Sequence, residues 1–181
     1  MMLVINSNVQ FKGEFCWNKT GLAPGYTTRP LFEFSVPEVM RLVLKLKPLR
    51  LYEECTYHTM MAHFSFESLA LVYKGQFVGL ALGHRLPYDI DSFYLAQFGV
   101  LEEHRKFKVT IPFFMSLVNS IGDIRSLILT IKEDHPKRKR MVRTIENLLG
   151  VKHELVATIP MSFEYDRGQD FKYKFDLIRK M

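Results

Sequence analysis

The chain has 181 residues, 48% of them hydrophobic, with 25 lysine and arginine side chains against 19 acidic ones. That length favours a single compact domain, and the formal net charge of +6 favours an anionic partner, whether a phosphate-bearing cofactor, an acidic protein or nucleic acid. The two cysteines argue against a disulfide scaffold and favour a reducing cytosol. Neither a signal peptide nor an apolar run of roughly 18 residues is recognisable, so we expect a cytoplasmic protein that does not span a membrane.

The apolar spacing predicts an N-terminal extension and one mixed domain. Residues 1–30 predict a hairpin and a loop packed on the domain, which covers residues 31–181. Ser35 is predicted as the N-cap of the first helix because Pro37 and Glu38 follow it. In chain order we predict a strand, two helices, a β-hairpin, a strand, a helix, a strand, a helix and two antiparallel strands, over residues 31–36, 39–46, 49–63, 68–83, 93–100, 110–121, 126–131, 136–149, 151–160 and 171–178.

The second predicted helix contains Cys55, His58 and His63. A metal ion needs three or four converging ligands with supporting partners, and three residues at this spacing on one helix are a weak signature of such a site. We therefore expect no metal.

The segment of residues 93–121 predicts a buried strand, a charged turn and an amphipathic helix. Both faces of the strand are largely apolar, which is typical of a central strand. Thr110 is predicted as the helix N-cap, with Pro112 in the first turn. Open backbone amides and the positive end of the helix dipole would lie beside three cations, as in phosphate sites. A purely structural strand, turn and helix remains the alternative. The three cations are Arg105, Lys106 and Lys108.

A second basic cluster opens the last predicted helix, where the sequence reads KEDHPKRKRMVR. Apolar residues of this helix form one face and the cations the other. A solvated surface and an anion-binding surface both fit this pattern. The cations are Lys137, Arg138, Lys139, Arg140 and Arg143.

Over about residues 31–180, the order of elements resembles the GNAT superfamily of acyl-CoA-dependent N-acetyltransferases. The stretch FGVLEEHRKFKVTIPFFMSLV is similar to the fourth strand of that family, its pyrophosphate loop and the next helix, and LTIKEDHPKRKRMVRTIENLLGV is similar to the fifth strand and the turn and helix that follow. The resemblance implies an α/β (α+β) fold with a mixed, mostly antiparallel sheet flanked by helices and a splayed parallel strand pair at the centre. It also implies a transferase that acts on an amine.

The implied cofactor is acetyl-CoA or another acyl-CoA. By the resemblance, the backbone at the end of the fourth strand lies beside the pantetheine arm, the loop amides surround the pyrophosphate, and residues 137–140 reach the adenosine 3′-phosphate. The cofactor-binding residues so implied are Phe98, Gly99, Val100, Arg105, Lys106, Phe107, Lys108, Val109 and Thr110.

The loop departs from the family pattern at two positions. Arg105 matches the residue that opens the pattern, but Lys108 and Thr110 stand where the family has glycine and glycine or alanine. Glycine lets a backbone amide approach a phosphate without a side chain in the way. Two interpretations follow: an N-acyltransferase in which Lys108 supplies charge instead of close approach, or a protein of this fold that has lost the usual CoA binding and binds or modifies nucleic acid through its basic turn and basic helix face.

Acetyl transfer requires a base for the acceptor amine and an acid for the departing thiolate. Tyr94, Gln97 and Glu103 are the catalytic candidates. Asp89 and Asp91, in a predicted loop over residues 84–92, are candidates for holding a cationic substrate amine, and turn formation explains them equally well. We predict an enzyme whose acceptor is a small-molecule or macromolecular amine. Exposed edge strands leave a homodimer open.

Overall fold

The computed structural model describes residues 21–47, 49–106, 108–132, 135–160 and 169–177. The predicted hairpin of residues 1–16 lies outside the described residues. The strands are β1 (Tyr26–Pro30), β2 (Leu69–Tyr73), β3 (Gln76–Leu86), β4 (Asp89–Val100), β5 (Ser126–Lys132), β6 (His153–Pro160) and β7 (Gln169–Asp176). The helices are α1 (Val36–Lys45), α2 (Glu54–Phe64), α3 (Glu102–Arg105), α4 (Thr110–Ser120) and α5 (Arg138–Leu149), with 3-10 turns at Leu31–Glu33 and Ser65–Glu67.

Within the described residues, the strands form one seven-stranded sheet in the order β1-β2-β3-β4-β5-β7-β6. The pairs β1–β2, β2–β3, β5–β7 and β6–β7 are antiparallel. Strands β4 and β5 run parallel: the Arg125 amide donates to the Asp91 carbonyl at 2.6 Å, and three residues further along β4 the Tyr94 hydroxyl lies 3.1 Å from that of Thr130. The predicted fold class, a mostly antiparallel sheet flanked by helices with a central parallel pair, is confirmed.

The chain divides into two compact units. The first, described here over residues 21–84 and 95–121, contains β1, β2, most of β3 and helices α1 to α4. Its core joins α1 and α2 to β2 and β3 through buried side chains that include Val39, Tyr57 and Leu80. The predicted cap of α1 is confirmed, because the Glu38 carboxylate accepts hydrogen bonds from the Ser35 amide and hydroxyl at 2.8 and 2.6 Å.

The C-terminal half of β4 is covered on both faces within this unit. The Phe98 ring stacks on Phe113 of α4 with centroids 5.4 Å apart. On the opposite face, a Cβ at Gly99 would lie 3.2 Å from the side chains of Leu46 and Leu49. Successive side chains of a strand point to opposite faces, so α4 and the segment after α1 enclose the strand between them. This confirms the predicted burial on both faces.

The second unit is described over residues 85–94, 122–132, 135–160 and 169–177 and contains β5, β6, β7 and α5. Its sheet buries Leu127 of β5 opposite Phe175 of β7. The Ser126 hydroxyl donates to the Asp176 carboxylate at 2.8 Å, and this bond lowers the pKa of Asp176. The prediction that the last two strands pair antiparallel at a sheet edge is confirmed.

The predictions for the first strand and for the segment between β3 and β4 were wrong. The first strand covers Tyr26–Pro30 rather than residues 31–36, because Leu31 begins a 3-10 turn and donates its amide to the Ser68 carbonyl at 2.9 Å. Residues 84–92 form no long loop, since β3 continues to Leu86 and β4 starts at Asp89. The Arg85 guanidinium donates to the Ile90 carbonyl at 3.0 Å and so supports this tight hairpin.

Candidate functional site

The segment between β4 and α4 starts from a fixed point at Leu101. The Leu101 amide donates to the Val78 carbonyl at 2.9 Å, which extends the β3–β4 pairing by one bond. The amides of His104 and Arg105 then donate to the Leu101 carbonyl at 3.0 and 3.2 Å and close the short helix α3. The predicted open turn over residues 102–109 was therefore wrong in its first half, which is helical.

Lys108 has a left-handed backbone, with φ of 56°. Residues other than glycine rarely adopt this backbone conformation because their Cβ atom crowds the following carbonyl. Lys108 is also the residue that stands at the first glycine position of the family pattern. The backbone thus takes a glycine-like conformation at this position although the residue is a lysine with an exposed side chain.

Helix α4 starts one residue away from the predicted place. Val109 is its N-cap, with no hydrogen bond from a side chain, and Thr110 is the first helical residue, so the prediction of Thr110 as the cap was wrong. The Val109 side chain is fully buried (0% exposed), and its packing in the core explains why an apolar residue occupies the cap. The first-turn amides of Thr110 and Ile111 have no acceptor inside the helix, and Pro112 has no N–H. These amides mark the positive end of the helix dipole.

The three cations of the loop differ in their surroundings. The Arg105 Nε donates to the Val100 carbonyl at 2.7 Å, so this side chain braces the end of β4. Lys106 and Lys108 have exposed side chains. Phe107, which was also among the predicted cofactor-binding residues, lies outside the described residues. Arg105 is exposed as well, so all three cations contribute positive charge beside the start of α4.

Gln97 is buried, with 3% of its surface exposed, and its side chain is used within the first unit. Its Nε2 donates to the Arg50 carbonyl at 2.6 Å and to the Tyr57 hydroxyl at 3.1 Å, while that hydroxyl donates to Gln97 Oε1 at 3.2 Å. Burial raises the pKa of Tyr57 although the bond to Gln97 opposes the shift. The amide thus ties β4 to α2 and to the segment before it.

The other two catalytic candidates lie in different units. Glu103 is exposed on α3 in the first unit. Tyr94 belongs to the second unit, where its half-buried hydroxyl lies 3.1 Å from that of Thr130. Within the first unit, Gln97 is buried in β4, whereas Glu103 is exposed on α3.

The candidate substrate carboxylates have local partners at the start of β4. The Ser92 hydroxyl donates to the Asp89 carboxylate at 2.6 Å. The Arg125 guanidinium pairs with the Asp91 carboxylate at 2.7 Å. Both contacts join residues that shape the strand ends, in agreement with the structural explanation of these aspartates.

The basic residues of α5 lie on its outer side. Lys139, Arg140 and Arg143 are exposed and Arg138 is half-buried, whereas Val142, Ile145 and Leu149 are buried. Lys137 precedes the helix as its N-cap residue and donates its amide to the His135 ring at 3.2 Å. The predicted helix with one apolar and one cationic face is confirmed.

Sequence analysis missed a cluster of two tyrosines and a histidine next to α3. The Tyr26 hydroxyl lies 2.8 Å from Nδ1 of His104, and the Tyr73 ring lies 4.5 Å from that of Tyr26 and 5.3 Å from that of His104. Tyr26 and Tyr73 face each other across β1 and β2. In the sequence, this cluster could be recognised only from the pairing register of β1 and β2, and that register requires the correct position of β1.

Sequence analysis also missed a carboxylate–imidazole pair. The Glu146 carboxylate lies 2.9 Å from His153 Nδ1 and accepts the His153 amide at 3.3 Å. These hydrogen bonds lower the pKa of Glu146. The pair spans the turn after α5, where Gly150 has φ of 67° and ends the helix as predicted.

A groove of ≈ 280 Å³ lies between α1 and the strand ends in the first unit. Leu42, Phe77 and Leu101 supply apolar surface. The charged lining residues are Arg41, Lys45 and Glu38, which are exposed and carry both signs of charge. The groove is next to the residue from which α3 starts.

Within the described part of the chain, no three His, Cys, Asp or Glu side chains gather closely enough to hold a metal ion. Of the weak metal signature on α2, His58 pairs with Glu54 at 3.6 Å and Cys55 is exposed. Among the residues that the structure describes, none of the helices combines the length and apolar character that a membrane crossing requires.

Comparison with solved structures identifies the fold. The diaminobutyrate acetyltransferase EctA from Paenibacillus lautus, in complex with L-2,4-diaminobutyric acid and coenzyme A, aligns with a TM-score of 0.74 and 15% identity over 86% of this chain and 98% of that chain. The ribosomal-protein-S18-alanine N-acetyltransferase from Escherichia coli aligns with a TM-score of 0.67 and 9% identity over 86% and 96%. Arabidopsis thaliana Naa50, in complex with the bisubstrate analogue CoA-Ac-MVNAL, aligns with a TM-score of 0.60 and 15% identity over 83% and 97%. No family model and no curated protein matches the sequence.

Proposed function

From the GNAT fold of the chain, we propose that it is an acyl-CoA-dependent N-acyltransferase that transfers an acyl group, in the first place acetyl, to an amine. The observation that carries the proposal is the connection from β4 to α4. It has a glycine-like backbone at Lys108, an N-terminal turn of α4 whose first amides have no acceptor inside the helix, and two exposed lysines. This combination suits a diphosphate.

The residues present fit the phosphate groups of CoA. The amides of Thr110 and Ile111 offer donors to one pyrophosphate oxygen each, and the Lys106 and Lys108 ammonium groups offset its charge. Arg105 contributes indirectly, because its bond to the Val100 carbonyl fixes the end of β4. We assign the backbone of residues 98–100 to the pantetheine arm and residues 137–140 to the adenosine 3′-phosphate, as in the sequence-based expectation.

Bound acyl-CoA would supply an activated thioester. The chain itself must orient the acceptor amine and move two protons, one from the amine and one to the departing thiolate. We assign proton removal to Glu103 through water and the orientation of acceptor or water to the Tyr94 hydroxyl. We assign Gln97 a positioning role, because its amide is bonded to Arg50 and Tyr57.

The acceptor is an amine of a small molecule or of a macromolecule. Diaminobutyric acid and a peptide-derived group are bound in two of the similar structures. A screen of acceptors therefore starts with small diamines and with peptides that have a free amino terminus.

Calorimetric titration of acetyl-CoA into the purified protein tests the proposal. We expect micromolar binding by the wild-type protein and about tenfold or greater weakening by Lys108→Glu, because the substitution replaces a charge-assisted contact by repulsion. Lys152→Glu is the matched control, since it makes the same charge change at an exposed residue between α5 and β6. If the wild type, Lys108→Glu and Lys152→Glu bind acetyl-CoA equally, the phosphate groups do not bind beside Lys108.

Nucleic acid is the second candidate partner, favoured by the exposed Lys139, Arg140 and Arg143 on one side of α5. If millimolar acetyl-CoA produces no heat, the acyltransferase proposal fails. Titration of single-stranded and duplex RNA across a salt series then tests the alternative, for which affinity must fall steeply with salt.

A further inference from the structure

Among the described residues, three contacts that hold the short helix α3 stand out, and two of them involve residues distant in the sequence, Val78 and Tyr26. Its start is fixed by the Leu101 amide on Val78, and its end by Arg105 Nε on Val100. The third contact is the bond of 2.8 Å between the Tyr26 hydroxyl and Nδ1 of His104, where the rings meet edge to face at 5.7 Å and 86°. The chain then passes through Lys108, whose amide donates to the Arg105 carbonyl at 3.2 Å. The geometry of Lys108 and α4 therefore depends on α3.

Tyr26 is a rigid anchor for this contact. Its side chain is 7% exposed, and its amide donates to the Ala23 carbonyl at 3.1 Å. The preceding Gly25 has φ of 85°, and a Cβ there would lie 3.1 Å from the Tyr73 ring. The first residue of β1 is thus placed by a turn, by strand pairing and by ring packing together. An anchor held in this way transmits its position to α3.

The Tyr26 phenol takes part in this contact in its protonated form. Burial, with a smaller contribution from Tyr73, raises the pKa of Tyr26, so the phenol keeps its proton at neutral pH. The phenol and Nδ1 of His104 share one hydrogen bond, in which the donor depends on the tautomer of the imidazole. The contact therefore fixes both the place and the orientation of the His104 ring.

Resting on the proposed function, we propose that Tyr26 is a positioning residue for the phosphate groups of CoA, acting through His104 and α3. It does not touch the ligand. It holds Lys106, Lys108 and Val109 in the conformation that presents the first amides of α4. The free protein therefore loses less conformational entropy when the diphosphate binds.

Four variants test the proposal by calorimetric titration of acetyl-CoA. Tyr26→Phe and His104→Leu remove the hydrogen bond, and we expect each to weaken binding up to about tenfold, the usual range for one hydrogen bond. Tyr73→Phe is the matched control, because it removes a hydroxyl from the same ring cluster that makes no hydrogen bond to the described residues. His104→Asn restores an acceptor close to the position of Nδ1, and we expect near wild-type affinity.

Amide hydrogen exchange of the same proteins without ligand separates positioning from global destabilisation. We expect Tyr26→Phe to increase exchange in residues 101–110 while the amides of β2 and α1 keep their protection. If Tyr26→Phe and Tyr73→Phe weaken CoA binding equally, or if neither does, the positioning role is overturned and the proposed function stands. If the wild-type protein does not bind CoA, the proposed function and the role of Tyr26 both fail.

Discussion

Tyr57 and Gln97 are 40 residues apart in the sequence, and their side chains exchange hydrogen bonds in the buried core. The phenol donates to the side-chain oxygen at 3.2 Å, and the side-chain nitrogen donates to the phenol at 3.1 Å and to the Arg50 carbonyl at 2.6 Å. A buried amide is stable only when its polar atoms are bonded. The pair therefore fixes the position of α2 on β4.

Gln97→Leu is expected to lower the free energy of unfolding by about 2 to 3 kcal/mol, because it leaves the Arg50 carbonyl and the Tyr57 hydroxyl without these partners. Tyr57→Phe should cost about 1 kcal/mol, since Gln97 keeps its bond to Arg50. Urea unfolding measures both. The double variant should lose less than the sum of the two losses, and strict additivity would mean that the two side chains do not interact in solution.

Lys108→Gly should stabilise the protein by about 1 kcal/mol, because glycine adopts a φ of 56° without steric cost. Lys74→Gly is the matched variant, since Lys74 has φ of 47° in the β2–β3 turn. Thermal unfolding should show a higher midpoint for both. Acetyl-CoA titration should distinguish the two variants. Lys108→Gly should bind acetyl-CoA more weakly because it lacks the ammonium group, and Lys74→Gly should bind it as tightly as the wild type. A drop in the midpoint for Lys108→Gly would contradict the left-handed conformation.

The Glu146–His153 pair predicts a pH dependence of stability. Hydrogen bonds from His153 lower the pKa of Glu146 below 4.5 in the folded protein. A carboxylate with a depressed folded pKa stabilises the protein above its unfolded pKa, and that contribution is lost as the pH falls through the folded value. Glu146→Gln should therefore be less stable than the wild type at neutral pH, and the difference should shrink below pH 4.5. Urea unfolding at a series of pH values measures it.

Glu154→Gln is the control for this pH series, because Glu154 is exposed and close to His153 in sequence. Its stability difference from the wild type should be small and should change little with pH. A gap between wild type and Glu146→Gln that stays constant down to acid pH would show that the carboxylate titrates normally.

Gly79→Ala and Gly99→Ala should lower the free energy of unfolding by different amounts, although Gly79 of β3 and Gly99 of β4 lie on neighbouring strands. A Cβ at Gly79 would be 2.8 Å from the Gly99 carbonyl oxygen, which belongs to the backbone and has little room to move. A Cβ at Gly99 would be 3.2 Å from the ends of the Leu46 and Leu49 side chains, which can rotate. We expect losses of about 3 and about 1 kcal/mol, respectively, in urea unfolding. A larger loss for Gly99→Ala would contradict this packing.

The strand, loop and helix around Lys108 are predictable from the sequence because their signals are local. A run of residues that is largely apolar on both faces predicts β4, and Pro112 in a first turn places α4 to within one residue. The left-handed backbone at Lys108 has a weaker signal, which is that the family pattern has glycine there. No local rule identifies Val109 as the cap, because its burial depends on side chains distant in the sequence.

The contacts that support the loop are not predictable in the same way. Tyr26 and His104 are 78 residues apart, and their contact requires β1 at Tyr26–Pro30, whereas alternation favours residues 31–36 as the strand. The role of Gln97 has the same origin: its type and position suit catalysis, and only its contact with Tyr57 shows that the amide is already bonded. Such pairs depend on tertiary packing rather than on periodicity.

The two outermost strands of the sheet, β1 and β6, both end in a proline, Pro30 and Pro160. Proline offers no N–H to a further strand, so at each outer edge the ladder that an incoming chain can form is interrupted at that end. In β1 the preceding Arg29 adds a charge that opposes close stacking. Recombinant preparations should therefore resist edge-to-edge fibril growth from the native state, and seeding should require partial unfolding first.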